Sequence, residues 1–92
     1  MTSSNLTARM YLDQGRAALQ QEQFDAAADH FRLAVEADPQ FEEAHRFLAE
    51  AYEKLGYAHR ARKAWETLLR ITKDPKKQEE IREKITGFSA QR

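Results

Sequence analysis

YLDQGRAALQQEQFDAAADHFRLAVEADP, residues Tyr11 to Pro39, is the stretch whose reading decides the fold. Apolar residues recur at three- and four-residue steps, pause over the polar run Gln20 to Gln23, and resume until Asp38-Pro39. That period is helical, so the stretch reads as two amphipathic helices joined by a short turn. A hairpin of this kind cannot bury its own apolar face, and the residues that follow must supply the cover.

A shift of thirty-four residues brings back the same kinds of residue: Gly15 meets Ala49, Ala17 meets Ala51, Ala27 meets Ala61, Phe31 meets Trp65 and Ala34 meets Leu68. Size and polarity repeat rather than identity, as packed positions in repeat proteins do. The order of small and aromatic residues resembles the tetratricopeptide repeat, a thirty-four-residue helix-turn-helix unit. The family's positions read Tyr11, Gly15, Ala27, Phe31, Ala34 and Pro39 in the first copy, and His45, Ala49, Tyr52, Gly56, Ala61, Trp65 and Leu68 in the second. The chain departs from the family pattern at His45, where an aromatic is common, and at Gln14, where Leu is common. It departs again at Ala58, opposite Phe24, and at Lys73, where Pro is usual, and its first turn lacks the family's Gly. The resemblance implies an all-α fold, a right-handed superhelix of two hairpins at about 8–41 and 42–73 closed by a capping helix at about 75–86.

Ninety-two residues make a single domain with a modest core, 41% of them hydrophobic, with residues 1–5 and 89–92 expected to fray. Fifteen basic residues balance fifteen acidic ones, so no global field draws the chain to nucleic acid or anionic lipid. There is no cysteine, which removes disulfides, thiolate nucleophiles and thiolate metal ligands together. No signal-peptide core and no membrane-length apolar run is present, and a soluble cytoplasmic protein is the expectation.

In chain order, the first helix is expected at about 5–20, capped by Ser3 or Ser4, with Leu6, Met10, Tyr11, Ala17, Ala18 and Leu19 as its apolar positions. The second, 24–37, carries Phe24, Ala27, Phe31, Ala34 and Val35 on one face. Asp38 caps and Pro39 opens a third helix running to Leu55, which Gly56 stops. The fourth, 58–72, has the most apolar face: Ala61, Ala64, Trp65, Leu68, Leu69 and Ile71. Asp74-Pro75 follows Asp38-Pro39 by thirty-six residues, not thirty-four, so Ile81, Ile85 and Phe88 land where His45, Ala49 and Tyr52 sit. The last helix is expected to dock like the first helix of a third repeat and to end at Gly87, or Phe88 folds back as the apolar contact of a helix-ending Gly motif; both readings put Phe88 inside.

Function, on the resemblance, is protein–protein interaction: the first helix of each repeat lines a concave groove that receives a partner's peptide or helix. The implied groove residues are Arg9, Leu12, Asp13, Arg16, Leu19 and Gln20, then Glu43, Arg46, Phe47, Glu50, Glu53 and Lys54, then Glu79, Arg82 and Glu83. Two readings of Phe47 stand open, an anchor for a ligand's apolar side chain or a core residue packed on Leu12. Arg46, Glu50 and Lys54 are spaced by four and stack along one face, as do Arg9 and Asp13; they read as a polar comb for a bound peptide or, the favoured reading, as a solvated ion ladder. Some family members capture chaperone C-termini with paired Asn residues, but here Asp13 and Phe47 hold those positions and cannot donate to a carboxylate. His30, His45 and His59 lack metal-site spacing, and no phosphate loop or nucleophile with a base is found, so no catalytic, cofactor or metal residues are expected. The alternatives are self-assembly through the open edge near Leu6, Met10 and Phe24, or an accessory domain of a larger enzyme or complex.

Overall fold

The structure is a computed structural model that describes residues 3–90, with side chains described for 3–88. Five helices follow one another: α1 (Leu6–Gln20), α2 (Phe24–Ala37), α3 (Glu42–Leu55), α4 (Ala58–Ile71) and α5 (Pro75–Ala90). Each packs on its neighbour in sequence, and α1 also touches α3. The Cα envelope measures 35 × 28 × 18 Å, and the smallest extent corresponds to two helical layers.

Two apolar clusters hold the stack. The first joins α1, α2 and α3 through Leu12, Ala27, Phe31, Ala34, Phe41, Leu48 and Ala51 among others. The second joins α3, α4 and α5 through Ala49, Ala64, Trp65, Leu68 and Ile81. Alanines on the facing helices let backbones approach, and the fully buried rings of Phe31, Phe41 and Trp65 fill what remains. Burial of each such ring contributes about 1.5–3 kcal/mol.

Gly15 is where the approach is closest. A Cβ placed there would lie 2.5 Å from Cε1 and 2.6 Å from Cδ1 of Phe31, so the ring occupies the space any larger residue would need. The two interhelical turns of the hairpins close alike. The Gln23 N–H donates to the Ala18 carbonyl and the Tyr57 N–H to the Tyr52 carbonyl, both at 2.9 Å. The left-handed residue this closure demands is Gly56 (φ 79°) in one and Glu22 (φ 58°) in the other. Glu22 thus stands where the family's Gly is missing, at a cost of about 1 kcal/mol relative to an unstrained residue.

Several expectations need correction. Asn5, not Ser3 or Ser4, caps α1, its side chain accepting from the Ala8 N–H at 3.0 Å and donating to the Ala37 carbonyl at 3.1 Å. Ser3 is buried, accepts from the Asn5 N–H at 3.0 Å and donates to the Asp38 carboxylate, so residues 3–5 are tied to the end of α2 rather than frayed. Residues 1, 2, 91 and 92, also expected to fray, lie outside the described residues. Pro39 does not open α3. Asp38 accepts from the Gln40 N–H at 3.1 Å and from the Phe41 N–H at 3.1 Å, a turn that drops Phe41 into the core at the N-cap before the helix begins at Glu42. The second Asp-Pro behaves as a helix start, with Pro75 the first residue of α5.

Gly87 does not end α5, which continues to Ala90. On α1 the buried residues are Ala8, Leu12, Gly15 and Ala18, whereas Leu6, Met10 and Ala17 are exposed. That face is set by what α2 touches, and small residues do not announce it. His45 is buried as expected, and its Nε2 meets the Pro39 carbonyl at 2.9 Å. Burial holds its pKa below the usual 6.5, against the Pro39 bond and the Asp38 charge, which favour the proton.

Two glycine substitutions have opposite expected signs. Gly15→Ala gains up to about 1 kcal/mol of helix propensity but overpacks against Phe31, which typically costs about 1–3 kcal/mol. The net is a lower urea midpoint. Gly87→Ala has open space around it and should raise stability by about 0.5–1 kcal/mol, the helix-interior difference between the two residues. A loss at Gly87 would show that the helix stops there after all.

Candidate functional site

The first helices α1, α3 and α5 share one face of the stack, and two grooves run between them over the rings of the second helices. In the groove between α1 and α3, Phe31 is the floor. Phe47 stacks on it with centroids 5.3 Å apart and planes 16° from parallel. The Arg16 guanidinium lies 5.7 Å from the Phe47 centroid on the outside, a cation–π contact. This groove is filled by the protein's own side chains.

Between α3 and α5 a pocket of about 750 Å³ remains, lined among others by Arg46, Glu53, Trp65, Ile81, Lys84 and Phe88. Trp65 is fully buried at its base. Its indole N–H donates to Glu53 at 2.7 Å, and the other Glu53 oxygen pairs with Lys84 at 3.7 Å. The Arg46 guanidinium and the Lys84 ammonium stand 5.5 and 5.4 Å from the Trp65 centroid. One hydrogen-bonded carboxylate and two cations thus bind the ring, and each contact crosses between helices.

Glu50, one turn from Arg46 on α3, is half-buried. Desolvation raises its pKa above the ordinary 4.5, and the Glu53 charge adds to this, whereas Arg46, Lys84 and Lys54 oppose it. Among the described residues no ion pair joins Glu50 to Arg46 or Lys54, or Arg9 to Asp13. The expected ladder is therefore a set of separate charges, with Arg46 turned to Trp65 instead.

The residues expected to line a groove divide into three groups. Arg9, Asp13, Arg16, Lys54 and Arg82 are exposed, with Arg82 paired to Glu79 at 3.6 Å. Arg46, Phe47 and Glu50 are half-buried. Leu12 is 5% exposed and belongs to the core, and Leu19 packs against that core half-buried, so neither lines an open groove. Phe47 meets Phe31 rather than standing free, which makes its ring a lid on the core with Arg16 above it. The three histidines sit on α2, α3 and α4; His30 bonds the Ala26 carbonyl at 2.9 Å and His59 is exposed.

The Trp65 cluster was not anticipated as a site. Its signal lay in the thirty-six-residue spacing, which places Glu83 and Lys84 where α3 has Phe47 and Leu48. An apolar pair replaced by a charged one at the same register leaves the second groove open. No helix among the described residues is long and apolar enough to cross a membrane.

A model of the tetratricopeptide repeat family matches residues 18–84. No curated protein matches the chain.

Because folding disfavours the charged form of Glu50, its contribution to stability is present below pH 4.5 and is lost as pH rises through its raised folded-state pKa. Glu50→Gln is expected to be more stable than the parent at pH 7, with the gap closing as pH falls toward 4.5. Urea midpoints at the two pH values measure it. A gap of constant size would place its cause elsewhere.

Proposed function

The chain belongs to the tetratricopeptide repeat family, whose members generally take part in protein–protein interaction, and from that premise we propose that it is an adaptor. It holds a peptide or helix of a partner protein along α1, α3 and α5, and it does so by binding, without chemistry of its own. The observation that carries this reading is the open pocket between α3 and α5, framed by the groups that grip Trp65. A groove preformed on packed helices loses little entropy on binding, so a few anchors suffice for affinity. Arg16 over Phe47 in the first groove and Arg46 over Trp65 in the second set a cation on an aromatic ring in each. The whole chain acts as one domain in this proposal, since each of its two apolar clusters joins three helices and both include α3.

Titration with peptides from an affinity-captured partner, followed by backbone amide shifts, tests the proposal. Shifts are expected on α1, α3 and α5 around Arg16, Phe47 and Lys84, and Gly87→Phe, which crowds the pocket that Gly87 lines, should weaken binding about fivefold or more, roughly 1 kcal/mol. Shifts confined to the outer faces of α2 and α4 would reject the groove. Light scattering that grows with concentration and is abolished by Leu6→Glu would favour instead self-association through Leu6 and Met10, which are 76% and 48% exposed one turn apart on α1.

A further inference from the structure

The two grooves are built on one plan and finished differently. Trp65 lies thirty-four residues after Phe31 and forms the floor in its place. In the first groove Phe47 covers that floor and Arg16 covers Phe47. In the second, the register carried by the longer loop before α5 puts Glu83 at the position of Phe47, and the thirty-four-residue register puts Glu50 at the position of Arg16. The ring is missing, the cation above it is replaced by a carboxylate, and about 750 Å³ stays open. The first groove thus serves as a template for what the second lacks.

We propose that the groove between α3 and α5 takes a partner-protein segment carrying an aromatic side chain beside an Arg or Lys, the ring stacking over Trp65 as Phe47 stacks on Phe31 and the cation meeting Glu50 and Glu83. This rests on the binding reading above and names its ligand chemistry. Charge complementarity selects the basic neighbour. Glu53, Glu80 and Glu83 line the pocket against Arg46 and Lys84, three carboxylates to two cations, and Glu50 stands beside it one turn from Arg46. Glu53 is already engaged by Trp65 and Lys84, whereas among the described residues no ion pair engages Glu50, Glu80 or Glu83. An acidic segment would add to the unpaired carboxylates, and a basic one pairs with them. Trp65 is covered at rest by Arg46 and Lys84, and Lys84 is 52% exposed. Its flexible chain swings off the ring as the ligand's aromatic arrives.

A phage-displayed random dodecapeptide library panned on the full chain, with recovered peptides resynthesised, tests this. Trp65 is the single tryptophan, so its emission reports occupancy directly. Recovered peptides are expected to carry an aromatic next to Arg or Lys, to shift Trp65 emission, and to bind at least tenfold more weakly when the ring becomes Ala or the base becomes Glu. Glu83→Phe, which supplies the missing ring from within, should weaken binding at least tenfold without lowering the unfolding midpoint. If that variant does not fold, Glu83→Lys reads the same site by charge, with an expected loss of about fivefold or more. Peptides without the aromatic–basic pair, affinities indifferent to both variants, or an absence of binders would overturn the inference. Peptides that move α1 and α3 amides around Arg16 and ignore both variants overturn it while leaving the groove reading intact; peptides that move only outer-face amides end both.

Discussion

The Phe31 ring and the Gly15 backbone occupy adjoining space so tightly that a single added carbon on Gly15 would sit within 3.0 Å of three ring atoms. Much else follows from that contact. It draws α1 onto α2, it sets the depth at which Phe31 floors the first groove, and it leaves the opposite face of Phe31 for Phe47 of α3 to stack upon. The second repeat uses a larger ring against a slightly larger partner, Trp65 and Ala49, both fully buried in one cluster. Packing at this density means that the repeats are coupled through rings and small residues rather than through polar bonds.

Those rings and small residues are why the architecture could be read from the chain. Phe31 and Trp65 recur at a fixed interval with alanines around them, and α2 begins and ends where its apolar period does. Gly56 stops α3 as expected, in the left-handed conformation. Elsewhere the local signals were ambiguous because tertiary contacts chose between them. Asp38-Pro39 and Asp74-Pro75 are the same dipeptide, yet one forms a turn and the other starts a helix. The difference is Phe41, whose burial requires the chain to delay α3. Ser3 and Ser4 were reasonable caps by type, but Asn5 reaches both the Ala8 N–H and the α2 terminus. Gly87 is tolerated inside α5 because Ile85 and Phe88 on either side are packed on the second cluster.

The candidate site was legible only in outline. The face formed by the first helices could be named from the repeat, but burial within it could not. Leu12 went to the core and Arg46 turned onto Trp65, because each responds to side chains contributed by other helices. The register change of two residues in the final loop put Glu83 at the pocket and Lys84 over Trp65, at positions where α3 has an apolar pair. The result is one groove filled by the protein's own side chains and one that stays open, with charged side chains at its rim. In the proposed adaptor the filled groove holds shape and the open one accepts the ligand.

The contact between Gly15 and Phe31 is tested most directly by a double-mutant cycle of Gly15→Ala and Phe31→Leu, read by urea denaturation. Leucine lacks the Cε1 and Cζ atoms that crowd residue 15. The expected result is strong non-additivity, with Gly15→Ala losing most of its cost, or turning favourable through helix propensity, in the Phe31→Leu background. Losses that simply add would contradict the claim that this contact sets the approach of the first two helices.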